Sequence, residues 1–282
     1  MRLVHTVAEV RREIAAWRAN GESVGFVATM GNLHAGHLDL VAEAKAKTDR
    51  VVASIFVNPL QFGPNEDFDR YPRTLPDDCA RLDPAGCDLV FAPSVDEMYP
   101  RGRSNIAQVS VPGISGLLEG EFRPGFFEGV ATVVSILFHI VQPDFAMFGR
   151  KDYQQFMVIR RMVAELHMPL QVVGVATRRE PDGLAMSSRN QYLNQSERPV
   201  APGLFRALSA VAQRLRTGSR DFQALEDEAK KLLEHQGFKP QYLAIRDPDD
   251  LGAPRAGGRG WVLLVAAHLG RTRLIDNLEV AA

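Results

Sequence analysis

Residues 29–37 read TMGNLHAGH and place two histidines, two glycines and a threonine where the apolar run SVGFVA meets the helix-like LDLVAEAKAK. His34 and His37 are three residues apart, so their side chains share one face if a helix begins there. These residue types fit three kinds of site: a metal site, a tight turn with a histidine cap, and a phosphate site.

The position of this stretch at a helix start favours the phosphate interpretation. Free N–H groups and the positive end of the helix dipole attract anions, glycine lets the backbone approach closely, and histidine donates to phosphate oxygens. A metal site needs a third ligand, and the sequence has no HExxH pattern. It has no GxxxxGK[ST] either, so the stretch is not a P-loop. A purely structural role for the two histidines stays open.

Two later segments also combine cationic and hydroxyl groups. MSSRN (186–190) offers an anion clamp, because Arg189 can bind phosphate through two N–H groups while Ser187 and Ser188 add donors. FGRKD (148–152) places Arg150 and Lys151 directly after an apolar run. Taken alone, MSSRN is more typical of a solvated turn between domains, and FGRKD is equally typical of a solvent-facing basic pair.

The stretch QFGPNEDFDRYPRTLPDD (61–78) is polar and contains proline, which predicts a surface loop. Asp77 and Asp78 end it. They fit a helix start, where the dipole favours acidic residues, or a carboxylate arm for Mg²⁺, which binds nucleotides through one or two carboxylates and phosphate oxygens.

Composition narrows the class of protein. The chain has 282 residues, a net charge of −1 and 45% hydrophobic residues, which is typical of a globular protein without an electrostatic footprint for nucleic acid or anionic membranes. Cys79 and Cys87 have neither disulfide-framework nor zinc spacing, so we expect a reducing, cytoplasmic setting. The N-terminus does not resemble a secretory signal, and the apolar run at 130–141 is shorter than the ~18–20 residues that span a bilayer.

Hydrophobic periodicity predicts the elements that position these residues. Strand-like runs alternate with helical patterns up to about residue 178 and predict an α/β fold, a Rossmann-like doubly wound parallel sheet. The strands are expected at 23–30, 51–57, 88–93, 143–149 and 170–177. Ligands bind at the carboxyl ends of such strands. Residues 179–282 then predict a smaller C-terminal α+β domain, with two helices (197–216 and 221–236) and three strand-like runs, the last ending in RLIDN.

Together the segments TMGNLHAGH, SIFVNPLQF, RYPRTLPDD, GRKDYQQ and GLAMSSRNQYL closely resemble the pantothenate synthetase (pantoate–β-alanine ligase) family, along essentially the whole chain. That family belongs to the nucleotidyltransferases whose HxGH and KMSKS-type motifs bind ATP phosphates. The resemblance implies that pantoate attacks the α-phosphate of Mg²⁺-bound ATP, giving pantoyl adenylate and pyrophosphate. The amine of β-alanine then attacks the acyl carbon, giving pantothenate and AMP.

The same resemblance assigns roles to individual residues. His37, Lys151 and Arg189 are the implied catalytic residues. ATP contacts are implied for Met30, His34, His37, Gly149, Lys151, Asp152, Met186, Ser187, Ser188 and Arg189. Pantoate contacts are implied for Met30, Gln61 and Gln155, with Tyr71 lining the pocket. Asp77 and Asp78 correspond to the Mg²⁺ arm. The family also implies a homodimer, and we expect residues 179–282 to act as a lid over the active site.

Some positions depart from the family pattern. Ala28 stands where proline is usual before TMG, which should only loosen the turn. Phe126 replaces a histidine of RPGHF, which puts any polar role of that position in doubt, and Arg150 replaces the glutamate of GEKD. Two alternatives remain: another HxGH-type nucleotidyltransferase, and a nucleotide-binding module without catalysis. None of the three substitutions removes a residue that the resemblance marks as catalytic.

Overall fold

A computed structural model describes residues 1–63, 68–255 and 259–281. Residues 64–67, part of the loop predicted over 61–78, lie outside the described residues. The chain forms two compact units: Met1–Arg150 with Gln155–Ala176, and Lys151–Gln154 with Thr177–Ala282. This division differs from the expected one at 178/179 chiefly in the segment Lys151–Gln154, which groups with the second unit.

The first unit is built on a six-stranded parallel sheet with the order β1-β4-β3-β2-β5-β6. Its strands are β1 (Arg2–Val4), β2 (Val24–Thr29), β3 (Arg50–Ile55), β4 (Leu89–Phe91), β5 (Phe145–Gly149) and β6 (Gln171–Val175). Strand order reverses between β2 and β5, which lie side by side at the centre of the sheet. In doubly wound sheets, ligands bind outside the carboxyl ends of the strands at this reversal.

The helices of the first unit are α1 (Val7–Ala19), α2 (Ala35–Lys47), α3 (Leu75–Leu82), α4 (Val95–Met98), α5 (Glu119–Phe122), α6 (Phe126–Val141) and α7 (Tyr153–Glu165). The N-terminus of α7 belongs to the second unit. Within the described residues, no helix is long and apolar enough to span a membrane.

Alternating side chains of β2 reach the two faces of this sheet. Val27 packs into a buried cluster with Val41 of α2 and Leu82 of α3. Phe26 points the other way and lies edge-on to Phe138 of α6, with ring centroids 6.2 Å apart. Because successive strand residues face opposite sides, the uninterrupted apolar run of β2 is the pattern that a strand covered on both faces requires.

The second unit packs two helices, α8 (Gly203–Arg216) and α9 (Phe222–His235), on an antiparallel sheet. The sheet order is β7-β8-β9, with β7 (Phe238–Arg246), β8 (Gly260–Leu269) and β9 (Thr272–Ala281). Leu204, Leu208 and Leu215 recur at helical spacing and are fully buried among inward-facing strand residues.

The predicted fold class is confirmed: a doubly wound parallel sheet is followed by a smaller α+β unit. Each predicted strand forms within a few residues of its expected bounds. Thr6 and Glu9 form a capping box at the start of α1. Among the strands and α-helices of the described residues, three were not predicted: the edge strand β1 and the four-residue helices α4 and α5. The helical pattern at 197–216 begins later than predicted, at Gly203.

Candidate active site

The TMGNLHAGH segment joins the carboxyl end of β2 to the N-terminus of α2, as predicted. His34 is the N-cap residue and His37 is the third residue of the helix. Their rings lie against each other, with centroids 4.1 Å apart and planes tilted by 39°. The first turn of α2 contains no acidic residue, so its positive dipole end is not neutralised by the helix itself.

A hydrogen bond defines how His37 presents its ring. The His34 N–H donates to Nδ1 of His37 at 3.2 Å. An Nδ1 that accepts carries no proton, so the proton of a neutral ring is on Nε2. His37 is half-buried, and this tautomer matches the requirement for a group that donates to a phosphate oxygen.

Asp78 holds the loop that precedes α2. The side chain is 1% exposed. Its two carboxylate oxygens accept from the backbone N–H of Asn32 at 3.0 Å and of Leu33 at 2.7 Å. Thr74 donates its hydroxyl to the same carboxylate at 3.1 Å. Gly31 allows this close approach, since its φ is +81° and a Cβ there would lie 3.0 Å from the Asp78 carboxylate.

The contacts of Asp78 correct one predicted role. Asp77 and Asp78 lie in the first turn of α3, so the helix-start interpretation is confirmed for both. The Asp78 carboxylate is engaged by loop amides and buried, which argues against its role as a Mg²⁺ ligand. Asp77 is exposed. Within residues 1–63, 68–255 and 259–281, no group of three or more His, Cys, Asp or Glu side chains is arranged to hold a metal.

Gln61, predicted to bind pantoate, ends a short 3₁₀ turn (Pro59–Gln61) that follows β3. Tyr99 donates its hydroxyl to Oδ1 of Asn58 at 2.7 Å, and Asn58 donates from Nδ2 to Oε1 of Gln61 at 3.0 Å. The Gln61 Nε2 is then directed to the sulfur of Met30, at 3.2 Å. Burial raises the pKa of Tyr99, so its hydroxyl remains a donor. This series of hydrogen bonds orients the Gln61 amide with its N–H₂ group toward Met30.

The backbone around Gln61 is fixed by α6 and by Arg123. A Cβ at Gly129 would lie 2.2 Å from the carbonyl oxygen of Leu60, so only glycine lets α6 approach this turn. Arg123 donates to the carbonyl of Gln61 at 3.1 Å, and its guanidinium stacks 3.6 Å above the ring of Phe126. Phe126, the departure from the family pattern, therefore supports a cation that holds Gln61.

Three further predicted residues have defined places in the first unit. Tyr71 is buried, and its ring lies edge-on to that of Phe62, with centroids 5.8 Å apart. Gly149 is the last residue of β5, and a Cβ there would meet no atom within 4 Å, so the strand end has open space beside it. Gln155, the second predicted pantoate amide, lies in the first turn of α7 and is half-buried.

The second unit contains Lys151 and Arg189, the two cationic residues predicted to bind ATP. Lys151 follows β5 in the chain, and its side chain is 18% exposed, with Nζ 3.8 Å from the carboxylate of Asp152. Asn277 of β9 donates from its side-chain amide to the backbone carbonyl of Lys151 at 2.7 Å. The Lys151 backbone is thereby attached to the second unit.

MSSRN leads into a 3₁₀ turn in the same unit. Ser187 is the N-cap residue, and its hydroxyl accepts from the N–H of Arg189 at 3.2 Å. Asn190 donates to the carbonyl of Ala185 at 3.0 Å, which closes the turn. The N–H of Met186 donates to the backbone carbonyl of Arg178 at 2.9 Å, so the segment begins as an extension of a tight hairpin.

The structure therefore brings Met30 together with Gln61 and His34 with His37. It also reveals residues that sequence reasoning missed: Asn58, Tyr99, Asp276 and Asn277. Asn58 lies inside the segment SIFVNPLQF, and Asn277 lies inside RLIDN. Both segments were noted in the sequence, but neither segment has a residue spacing that indicates a role for its asparagine.

Comparison with known proteins identifies the family. The family described as pantoate–β-alanine ligase matches residues 2–279 of the chain. The chain belongs to the pantoate–β-alanine ligase family. A pantothenate synthetase of Pseudomonas fluorescens is 55% identical over 280 residues, which cover 99% of this chain and 98% of that protein. One of Pseudomonas aeruginosa is 54% identical and covers 99% of each chain.

Solved structures agree with this membership. The crystal structure of pantothenate synthetase from Thermus thermophilus has a TM-score of 0.92 and 50% identity, with both chains covered completely. That of pantoate–β-alanine ligase from Francisella tularensis, a complex with βγ ATP and β-alanine, has a TM-score of 0.81 and 32% identity, covering 99% of this chain and 97% of its own. The predicted family and enzyme class are confirmed.

Proposed function

We infer that the chain catalyses the ATP-dependent condensation of pantoate with β-alanine, which yields pantothenate, AMP and pyrophosphate through pantoyl adenylate. The contact between Met30 and Gln61 carries the inference, since the Gln61 Nε2 lies 3.2 Å from the Met30 sulfur. Met30 also begins the loop into α2, whose N-terminus suits phosphate. In this proposal the Gln61 amide binds the carboxylate substrate and the N-terminus of α2 binds phosphate. Adenylation of a carboxylate requires these two groups to be close together.

In this proposal His34 and His37 contact the ATP phosphates. The Nε2–H of His37 donates to the α-phosphoryl group as its negative charge grows, and the α2 N-terminus adds its dipole. No covalent protein nucleophile is needed, because phosphoryl chemistry depends on positioning and charge neutralisation.

Residues of the second unit complete the proposed phosphate contacts. We assign positive charge at the phosphates to Lys151 and Arg189, further phosphate contacts to Met186, Ser187 and Ser188, and ribose contacts to Gly149 and Asp152. The lid role of residues 179–282 stays a prediction, as do the homodimer and the cytoplasmic location.

For pantoate we propose binding by Met30, Gln61 and Gln155, with Tyr71 lining the pocket. Gln61 donates from Nε2 to a pantoate oxygen, because its Oε1 accepts from Asn58. For Mg²⁺ we propose Asp77 as the protein ligand, with phosphate oxygens supplying the others. Mg²⁺ on nucleotides commonly takes one or two carboxylates and keeps several waters.

The test is pantoate-dependent exchange of pyrophosphate into ATP, followed by AMP release on addition of β-alanine. We expect exchange only with pantoate present and AMP only after β-alanine is added. Exchange that proceeds without pantoate contradicts the ligase assignment, and a product that retains the nucleotide indicates another HxGH nucleotidyltransferase. Binding of ATP without any exchange indicates a module without catalysis.

A further inference from the structure

Strand β9 contains two adjacent polar residues that the proposed reaction does not use. Asp276 and Asn277, from the RLIDN motif, are 4% and 5% exposed. Polar side chains at such burial need specific partners, since an unpaired buried group costs free energy. Asn277 contacts Lys151, to which we assign a phosphate contact, and Asp276 contacts Arg179, which lies shortly before the MSSRN segment in the chain.

Asp276 pairs with Arg179. The guanidinium donates to the two carboxylate oxygens at 2.7 and 2.9 Å, which is the two-point geometry that arginine forms with a carboxylate. Arg179 also donates to the carbonyl of Asn277 at 3.1 Å and stacks 3.8 Å above the ring of Phe205. These contacts restrict the orientation of the Arg179 guanidinium.

Arg179 in turn fixes the hairpin that ends in MSSRN. It donates to the carbonyl of Gly183 at 3.1 Å, across the turn. Its own backbone pairs with Ala185 in an antiparallel bridge. Met186 follows immediately, and β9 contacts the 3₁₀ turn Ser188–Tyr192 as well. Contacts with β9, made directly and through Arg179, therefore hold Ser187, Ser188 and Arg189 in place.

Asn277 fixes the other segment. Its amide donates to the carbonyl of Lys151 at 2.7 Å. Two residues farther on, the hydroxyl of Tyr153 donates to the carbonyl of Pro248 at 3.2 Å, so the segment Lys151–Gln154 is attached to the second unit at two points.

We propose that Asp276 and Asn277 are positioning residues that hold Lys151 in fixed register with Ser187-Ser188-Arg189. This proposal rests on the proposed function, which assigns both segments to the ATP phosphates. Neither β9 residue needs to touch substrate. Two cationic groups that neutralise one developing charge must keep their spacing, because a displacement of about 1 Å costs on the order of a hundredfold in rate.

The experiment compares Asn277→Ala and the isosteric Asn277→Asp, which removes the N–H donor at constant size. Gln213→Glu, on the exposed face of α8, is the matched control for an amide-to-carboxylate change in the same unit. For each variant, pantoate-dependent ATP–pyrophosphate exchange gives kcat, KM for ATP and KM for pantoate. We expect kcat/KM for ATP to fall about ten- to a hundredfold in both Asn277 variants, with the pantoate KM unchanged.

A double-mutant cycle with Lys151→Ala separates positioning from general stability. If Asn277 acts through Lys151, Asn277→Ala costs less than about twofold in the Lys151→Ala background. An equal loss in both backgrounds overturns the proposal, as do unchanged ATP kinetics or an Asn277→Ala chain that does not fold. Normal exchange by Lys151→Ala alone contradicts the proposed function instead, so the two failures are distinguishable.

Discussion

The two units fix their anion-binding segments with the same kind of residue in different ways. In the first unit Asp78 accepts from the backbone amides of Asn32 and Leu33. In the second unit Asp276 accepts from the guanidinium of Arg179. Both carboxylates are almost fully buried, and both lie far along the chain from the segment that they hold.

The difference lies in what remains when the contact is broken. Loss of the Asp78 carboxylate leaves neutral N–H groups unpaired, at a cost of about 1–3 kcal/mol. Loss of one partner of the Arg179–Asp276 pair leaves a buried charge, at a cost of about 3–5 kcal/mol. Loss of the Asp78 contact should therefore destabilise the first unit moderately. Loss of either partner of the Arg179–Asp276 pair should destabilise the second unit more strongly.

The largest effects are expected on activity, from one proposed phosphate contact in each unit. His37→Ala and Lys151→Ala should each lower the rate of pantoate-dependent exchange by about a hundred- to a thousandfold, because each removes charge stabilisation from the transition state. His235→Ala and Lys230→Ala, on α9, are the matched controls. Near-normal exchange in either active-site variant contradicts the charge-neutralisation argument for that unit.

The next largest effect concerns the charge pair of the second unit. Arg179→Ala should lower the free energy of unfolding by about 3–5 kcal/mol, because Asp276 stays buried without its cation. Arg198→Ala is the control: Arg198 pairs with Asp182 in the same unit, but both side chains are about 40% exposed, and such pairs contribute about 0–1 kcal/mol. If urea denaturation gives the same loss of unfolding free energy for both variants, burial does not distinguish the two ion pairs.

A smaller effect is expected for the loop clamp of the first unit. Asp78→Asn keeps one acceptor but places an N–H₂ group against a loop amide, so we expect a loss of about 1–3 kcal/mol in unfolding free energy. Asp77→Asn, at the exposed neighbouring position, should change that free energy by less than about 0.5 kcal/mol. If the two variants are equally stable, the Asp78 carboxylate does not hold the loop.

The effects of pH on stability have opposite signs in the two units. In the first unit, burial raises the pKa of the Cys87 thiol from 9.0 to about 12. The folded thiol keeps its proton where the unfolded one loses it, so stability falls as pH rises above 9, by up to about 1.4 kcal/mol per unit. In the second unit, burial and the nearby Arg273 and Lys239 lower the pKa of His268 from 6.5. There the unfolded state binds the proton first, and stability falls as pH drops below 6.5.

The chain offers one tryptophan in each unit as a probe, Trp17 in α1 and Trp261 in β8. Fluorescence of single-tryptophan variants (Trp261→Phe and Trp17→Phe) should report alkaline loss of stability at Trp17 and acid loss at Trp261. Cys87→Ala should flatten the alkaline slope, and His268→Gln should flatten the acid slope. Identical pH profiles at both probes contradict the assignment of each titration to its own unit.

The elements that the sequence predicted correctly are those with a continuous local pattern. β2 and β3 are nearly uninterrupted apolar runs, and α1 begins with a capping box, so their types follow from neighbouring residues alone. β1 has three residues and two exposed side chains, too short for any period to show, and its pairing with β4 depends on a strand far along the chain.

The candidate site divides in the same way. His34, His37 and the basic segments are recognisable because their types and spacing suit phosphate. Asp78 was placed at a helix start, but its hydrogen bonds to Asn32 and Leu33 are long-range and leave no local signal. The attachment of Lys151 to Asn277 spans 126 positions, and a single asparagine in a strand does not indicate its partner.

The segment Lys151–Gln154 has a consequence for recombination between related genes. Because it groups with Thr177–Ala282, the chain crosses between the units three times, and neither unit is one continuous stretch. A crossover at 176/177 would take Lys151 from one parent and Asn277 from the other. A fragment beginning at Thr177 would lack Lys151 altogether. The second unit is therefore inherited as two separate pieces of sequence that must match each other.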